Sequence, residues 1–330
     1  MNVRGLAGPA DQYPLDQSVV LSLYRRMLLI RRFEERIYNL FLQGELPGTL
    51  HQSQGQEAVA VGVCAHLTIQ DWITSTHRPH GHALAKGVEV RKAMAELFGK
   101  VTGCCAGKGG SMHLGDPDVG MIPALAIVGA GNTVAPGMGL AFKLRKSRQV
   151  AVCFFGEGAS NEGAFHEGLN FAAVLKLPVV FVCENNLYGA STHFSRASLV
   201  EDVAARASAY GIPGQIVDGM DVLAVHRAAG DAIAHARNGH GPVLLECKTY
   251  RFAGHSRGDA RGYRTKAEEA EWEALDPISC ARGYLAGLGV KPETLDVLEI
   301  EVTAELDDAV DFARKSASPA LESALTDVYA

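Results

Sequence analysis

Residues 149–189 read QVAVCFFGEGASNEGAFHEGLNFAAVLKLPVVFVCENNLYG, and their pattern decides the fold. Val150 to Phe155 is a short apolar run rich in β-branched and aromatic side chains, which suits a strand buried on both faces. Gly156-Glu157-Gly158 breaks it, and Asn161 to Lys176 then carries Phe165, Leu169, Ala172, Ala173 and Leu175 at helical spacing. Pro178 stops the helix, and Val179 to Cys183 forms a second apolar run that ends at Glu184-Asn185-Asn186. Strand, helix and strand make one right-handed βαβ unit with parallel strands. Glu157 and Asn186 then both fall just past the carboxyl ends of strands, the edge where open α/β sheets bind ligands. On neighbouring strands, a carboxylate and an amide oxygen can converge on one hard cation. The N–H groups of Gly158, Ala159 and Ser160 at a helix start can hold a phosphate beside it. A cation with a phosphate implies a phosphorylated cofactor, although an ordinary crossover with a polar turn has the same spacing.

The chain has 330 residues, 47% of them hydrophobic, with 36 glycines, which describes a soluble α/β protein of one large or two ordinary domains. A formal net charge of −6 argues against nucleic acid as a partner. The apolar runs are too short to span a membrane, and MNVRGLAGPADQYP has neither the apolar core of a signal peptide nor the character of a transit peptide. Of seven scattered cysteines, Cys153, Cys183 and Cys247 fall within apparent strands, and adjacent Cys104-Cys105 matches no redox or zinc spacing. This usage fits a reduced, cytoplasmic protein.

Residues 17–43 predict a long amphipathic helix closed by Gly44, lying on the surface with an apolar face. His51 sits in the loop before a helix that starts near Gln56. After the strand-like WITST, His77, His80 and His82 crowd around Arg78. No cysteine or carboxylate completes a zinc set there, so an anion-reading cluster centred on Arg78 is expected. The glycine-rich segment 103–116 lacks the phosphate-loop pattern and reads as a flexible loop. Gly129 and Gly131 imitate a dinucleotide fingerprint, but Val134 stands at the third glycine position and no acidic residue closes a second strand. A nicotinamide-dependent Rossmann dehydrogenase is therefore the distant alternative. Further on, SLVEDVAARASAY reads as a helix, and GQIVDG and PVLLECKTY read as two more strands separated by a second helix, with His255 and Ser256 on the ligand edge and a mobile, positively charged loop over 254–263. A charged helix follows Thr265, another starts at Asp276-Pro277, and residues 296–330 read as a surface helix and an extended tail. The fold class expected is α/β, a parallel sheet with helices on both faces. Residues 1–45 form an N-terminal segment and helix, 46–275 the ligand-binding domain, and 276–330 a helical tail on the domain or a partner.

The series RRFEE, HQSQGQEA, THRPHGH, GKGGSMH, IVGAG, FGEGASNEGAFHE, KLPVVFVCENN, ECKTYRFAGHS and YRTKAEE…DP spans most of the chain. In that order it resembles the alpha subunit of thiamine diphosphate-dependent 2-oxo acid dehydrogenases, the decarboxylating component of those complexes. The segments STHRPHGHALAKG and CFFGEGASNEG are most similar to pyruvate and acetoin dehydrogenase alpha subunits.

The resemblance implies the thiamin diphosphate-binding fold, with oxidative decarboxylation of a 2-oxo acid, pyruvate first, and reductive acylation of a lipoyl-bearing acyltransferase. Acetoin cleavage with the same cofactor is the alternative. It implies that Glu157, Asn186 and the Tyr188 carbonyl hold Mg²⁺, and that His77, Arg78, Gly158 and Ala159 contact the diphosphate. Backbone groups of Ala126 and Val128 would meet the aminopyrimidine, and His51 and His255 the reacting centre. The glutamate that activates the aminopyrimidine belongs, by the same resemblance, to a beta subunit, so an alpha/beta heterotetramer is expected and this chain alone should be inactive. Four positions depart from the pattern: Glu157 in place of aspartate, His77 where pyruvate enzymes commonly have tyrosine, Ala126 in place of glycine, and Ser256 without the context for phosphorylation.

Overall fold

The structure, a computed structural model, describes residues 16–327. The N-terminal stretch weighed above as a targeting segment, residues 1–14, lies outside the described residues. In chain order the elements are α1 (Gln17–Leu42), α2 (Glu57–Cys64), β1 (Trp72–Thr74), α3 (His80–Lys86), α4 (Val90–Leu97), α5 (Gly131–Leu144), β2 (Ala151–Gly156) and α6 (Gly163–Val174). They continue with β3 (Val179–Asn185), β4 (Tyr188–Gly189), β5 (Thr192–His193), α7 (Phe194–Ala197), β6 (Gly214–Asp218), α8 (Val222–Arg237), β7 (Val243–Lys248), α9 (Lys266–Glu273), α10 (Pro277–Gly287) and α11 (Pro292–Lys315).

The main sheet runs β1-β2-β3-β7-β6 with every neighbouring pair parallel. Because successive side chains of a strand point to opposite faces, an unbroken apolar run serves two cores. Val150, Val152 and Phe154 join a core with α1, α2, α4, α8 and α11, whereas Ala151, Cys153 and Phe155 join another with α5 and α6. Helices therefore cover both faces, as the apolar runs require. The fit of α5 to α6 is close enough that a Cβ built on Gly168 would stand 1.9 Å from the Asn132 carbonyl oxygen, which excludes any larger residue.

Two elements depart from the reading of the sequence. The long N-terminal helix is not a surface helix: most of its apolar residues from Val20 to Leu40 are buried, and α11 packs across it and α4. Its interspersed charges reach that neighbour, with Arg25 2.8 Å from Glu305 and Arg36 2.5 Å from Asp307. Such half-exposed pairs contribute little each; the apolar seam between the helices holds them. The segment after Ser198 forms a 3-10 turn over Val203–Tyr210 where an α-helix is predicted.

Segment 103–116 is also not a loose loop. It wraps the carboxylate of Glu96, fully buried on α4, which accepts N–H groups from Cys105 (2.8 Å), Gly107 (2.9 Å), Gly109 (2.7 Å) and Gly110 (3.0 Å). The glycines bring the backbone close enough to satisfy an internal anion rather than a phosphate. All seven cysteines are free, and among the described residues no helix is long and apolar enough to cross a membrane.

Removing Glu96 strands four partly buried backbone donors. We expect Glu96→Ala to cost roughly 3 kcal/mol of folding stability, read from urea unfolding; an unchanged midpoint would show that the loop holds itself.

Candidate active site

The carboxyl ends of β2 and β3 lie side by side, with Gly156 in register with Glu184. Beyond them the chain forms a 3-10 turn over Glu157–Asn161 before α6 starts at Gly163, two residues later than the spacing predicts. Across from this turn, Asn186 donates its backbone N–H to Glu157 Oε2 at 3.1 Å. Its side-chain amide donates to Gln56 Oε1 at 3.0 Å, and its Oδ1 accepts the Tyr188 N–H at 3.4 Å, a donor that can only meet the oxygen end. Gly158 and Gly189 approach so closely that a Cβ on either would touch the other's Cα at about 3.5 Å. The loop between is held in a tight left-handed turn at Leu187, φ +74°, by Asn185 Oδ1 accepting the Leu187 N–H at 3.1 Å. Asn185 is fixed in turn by Glu246, fully buried, which also takes Lys248 Nζ and the Ala204 N–H.

These groups border a cavity of about 320 Å³ whose wall includes His77, Arg78, Ala126, Val128, Glu157, Gly158, Ala159, Asn186, Tyr188 and His255. Glu157 is closed to solvent, and burial pushes its carboxyl pKa up against the opposing pull of its backbone hydrogen bonds and Arg251. A buried carboxylate answered mainly by neutral donors is costly. With the Asn186 amide and the Tyr188 carbonyl it could supply oxygen donors to a hard divalent cation.

At the other side, His51, His77 and His255 form a triangle with ring centroids 5.0–5.3 Å apart. His51 Nδ1, His77 Nε2 and His255 Nδ1 are buried without a hydrogen-bond partner. Their ligand atoms lie within 4.8 Å of one another, close enough to suggest a transition-metal site. The charges argue otherwise. Buried Arg78 donates to the carbonyls of Gln52 and, at 2.9 Å, His255, and Arg251 lies close enough to act on the same rings. Burial first, and then Arg78, hold His51 at about 4, His77 at about 3 and His255 at about 4. Two guanidiniums beside neutral imidazoles attract an anion or a polarised oxygen, not a cation.

Of the histidines predicted to cluster around Arg78, only His77 faces the cavity. His80 turns into the core, where its Nδ1 meets Glu34 Oε1 at 3.2 Å and its Nε2 meets Ser111 Oγ at 2.9 Å. His82 stacks on Phe154, 3.9 Å between ring centroids. The helical spacing of α3 separates them, since residues two apart do not share a face.

The dehydrogenase E1 component family matches residues 25–322. The chain belongs to that family. It is 52% identical to the alpha subunit of acetoin:2,6-dichlorophenolindophenol oxidoreductase of Bacillus subtilis, over 96% of this chain and 95% of that one. The corresponding subunit of Cupriavidus necator is 46% identical, with 96% of each chain covered. The pyruvate dehydrogenase E1 component subunit alpha of Rhizobium meliloti is 41% identical over 93% of this chain and 89% of that one. An E1 alpha subunit works with a beta subunit. The dinucleotide alternative lacks its context as well, for no strand leads into Gly129 and the helix that begins at Gly131.

In this E1 chain the sequence reading passed over several residues of the site. Arg251 and Gln56 line the cavity, and Glu34, judged part of a surface helix, accepts the N–H and hydroxyl of Ser53 at 3.0 and 2.8 Å and so ties down the loop that carries His51. Arg251 was within reach of the sequence, because it follows β7 on the ligand edge; Glu34 was not, because nothing local distinguishes it from Glu35. Asp259 orders the 254–263 loop by accepting the His255 N–H at 2.6 Å and the Tyr263 hydroxyl at 2.5 Å.

The depressed histidines fix the direction of the pH response. The unfolded chain takes up protons below its ordinary pKa near 6.5, whereas the folded site refuses them down to about 4 or below. Stability from this triangle is thus complete above pH 6.5 and declines as the pH falls towards 4. We expect no titration of His51, His77 or His255 above pH 5 in a histidine-resolved NMR experiment; a midpoint near 6.5 for any of them would contradict the geometry.

Proposed function

We propose that the chain is the alpha subunit of a thiamine diphosphate-dependent E1 enzyme that cleaves acetoin. The observation that carries the cofactor reading is the pairing of Glu157 and Asn186 across the ends of β2 and β3, an oxygen site for Mg²⁺ beside the N–H groups of Gly158 and Ala159. The donor set fits the metal: carboxylate, amide oxygen and the Tyr188 carbonyl are hard ligands, and glutamate reaches one methylene further than aspartate would. Arg78 and His77 border the same cavity and suit the diphosphate, and the backbone of Ala126 and Val128 suits the aminopyrimidine. Alanine at 126 is compatible with a contact made through the backbone.

When bound, thiamine diphosphate supplies a thiazolium that accepts the electron pair of the C–C bond being broken. This chain's part is to hold and orient. Arg78 fixes the Gln52 and His255 carbonyls and so the backbone on both sides of the site. His51 and His255, neutral and with unpaired ring nitrogens, offer a proton or a lone pair to a substrate oxygen. The carboxylate that activates the ring would come from the beta subunit, in an assembly of two alpha and two beta subunits that passes its acyl group to a lipoyl-bearing acyltransferase. Free, partly buried cysteines suit a reducing compartment such as the cytoplasm.

Acetoin is placed ahead of pyruvate for two reasons. The two acetoin-named relatives are more alike to this chain than the pyruvate-named one, and His77 stands where pyruvate enzymes commonly carry tyrosine. Pyruvate is the second reading, supported by relatives at about 40% identity across nearly the whole chain.

Co-expressed with a beta subunit and supplied with thiamine diphosphate, Mg²⁺ and dichlorophenolindophenol, the enzyme should turn over acetoin with a kcat/KM at least about tenfold above that for pyruvate, 2-oxobutyrate or branched 2-oxo acids. The reverse order would move the reading to a 2-oxo acid dehydrogenase. Glu157→Ala should weaken Mg²⁺-dependent cofactor binding roughly 100-fold, about 2.7 kcal/mol, while Glu157→Asp should shift the Mg²⁺ requirement and retain binding. Equal affinity in Glu157→Ala would remove the residue from the metal site.

A further inference from the structure

Cys104 and Cys105 belong to the loop that wraps Glu96 and have no part in the roles above. With Glu96 they form a group whose sulfur and carboxylate atoms all lie within 4.8 Å of one another. Both cysteines are partly exposed, whereas Cys64, Cys153, Cys183 and Cys247 are buried. Cys280 is partly exposed too, but it is a single thiol held against the Leu275 carbonyl at 3.7 Å.

The backbone beneath the pair is fixed. The Cys105 N–H is one of the four that Glu96 accepts. A Cβ built on Gly103 would stand 2.3 Å from Glu96 Oε2, and one on Gly109 would stand 2.6 Å from the His113 carbonyl oxygen and 3.2 Å from Cys105 Cβ. The chain turns away directly after the pair, with Ala106 at φ +54° and Gly107 at φ +78°. Cys105 Sγ lies 3.5 Å from the His113 carbonyl oxygen and 3.3 Å from that of Gly115, and one S–H can serve only one of them. The two sulfurs are therefore presented side by side before any ligand arrives.

The donors left over narrow the ligand. A carboxylate has about four lone-pair sites, and those of Glu96 meet four backbone N–H groups. A cation that recruited Glu96 would have to displace one of them. Two thiols remain, too few for zinc, which takes four ligands. A direct bond between the sulfurs is strained, because consecutive Cα atoms are about 3.8 Å apart and disulfides usually span at least about 4.4 Å. A third atom placed between the sulfurs lengthens the link and removes that strain. Thiolates select soft partners, so the atom that fits is soft, thiophilic and content with two protein ligands.

We propose that Cys104 and Cys105 form a two-sulfur site for trivalent arsenicals that carry one organic substituent. Such an arsenical brings its own third ligand, so Glu96 keeps its N–H groups and the loop keeps its shape. In the step two As–S bonds form and two As–O bonds of the hydrated arsenoxide break. The two thiol protons leave with the two hydroxides as water, and neither arsenic nor sulfur changes oxidation state. The site is separate from the cofactor cavity, and its test needs no turnover.

The assembled alpha–beta enzyme is incubated with phenylarsine oxide, alkylated while folded, and digested with trypsin. Cleavage after Lys100 and Lys108 releases residues 101–108, which carry both cysteines and no other. We expect both thiols of this peptide to be protected together at about one arsenical per alpha chain, to stay protected in excess 2-mercaptoethanol, and to be released by 2,3-dimercaptopropanol. Cys104→Ser and Cys105→Ser, each nearly isosteric, should each raise the arsenical concentration needed at least about 100-fold, because the second bond is no longer intramolecular. Protection of one thiol alone, or the same concentration dependence in either variant, would overturn the site. Protection by Zn²⁺ at equal concentration would overturn the two-sulfur assignment, since it would require Glu96 as a ligand.

Discussion

A carboxylate buried at the end of a parallel strand is the constraint on which this structure depends. Glu157 is closed to solvent, its hydrogen bond from Asn186 is a neutral one, and burial raises its pKa. An ionised carboxylate in such a place is tolerable only where strong compensation is at hand. The surrounding elements supply the geometry for it. Parallel pairing of β2 and β3 brings Asn186 opposite, Gln56 orients the amide, and the Gly158–Gly189 contact lets the two turns close on one point.

The same device, a buried carboxylate gathering donors, recurs where no ligand is called for. Glu34 gathers Ser53 and His80, Glu96 gathers four backbone N–H groups, and Glu246 gathers Asn185, Lys248 and Ala204. Each is satisfied within the protein and fastens a loop that bears on the site or the core beside it. Glu157 and Glu184 differ because they face the cavity. That contrast separates anchoring carboxylates from those with capacity left for a ligand, and no count of acidic residues would reveal it.

Much of this was legible in the sequence, for physical reasons. The runs at 150–155 and 179–183 could only be strands buried on both faces, so the sheet, its parallel sense and the placement of Glu157 and Asn186 followed. His51, His77, Arg78 and His255, far apart in the chain, do come together. What the sequence concealed were contacts between distant segments. The glycine-rich run at 103–116 looked loose because its partner, Glu96, belongs to another element. The charged positions of α1 looked like a solvated face because α11, which starts 250 residues after α1 ends, covers them. His80 and His82 looked like members of one cluster because the turn of α3 that parts them is invisible in a short, histidine-rich string.

Two groups of residues beside the cavity could hold a metal, and they imply different chemistry. The oxygen donors of Glu157, Asn186 and Tyr188 would suit a hard ion, whereas the triangle of His51, His77 and His255 would suit a transition metal were it not beside Arg78 and Arg251. Anomalous diffraction from crystals of the alpha–beta enzyme grown with thiamine diphosphate and Mn²⁺ in place of Mg²⁺ distinguishes them directly. A single peak among Glu157, Asn186 and the Tyr188 carbonyl, next to the diphosphate, is the expected result. A peak among the three histidines, with none at Glu157, would contradict it.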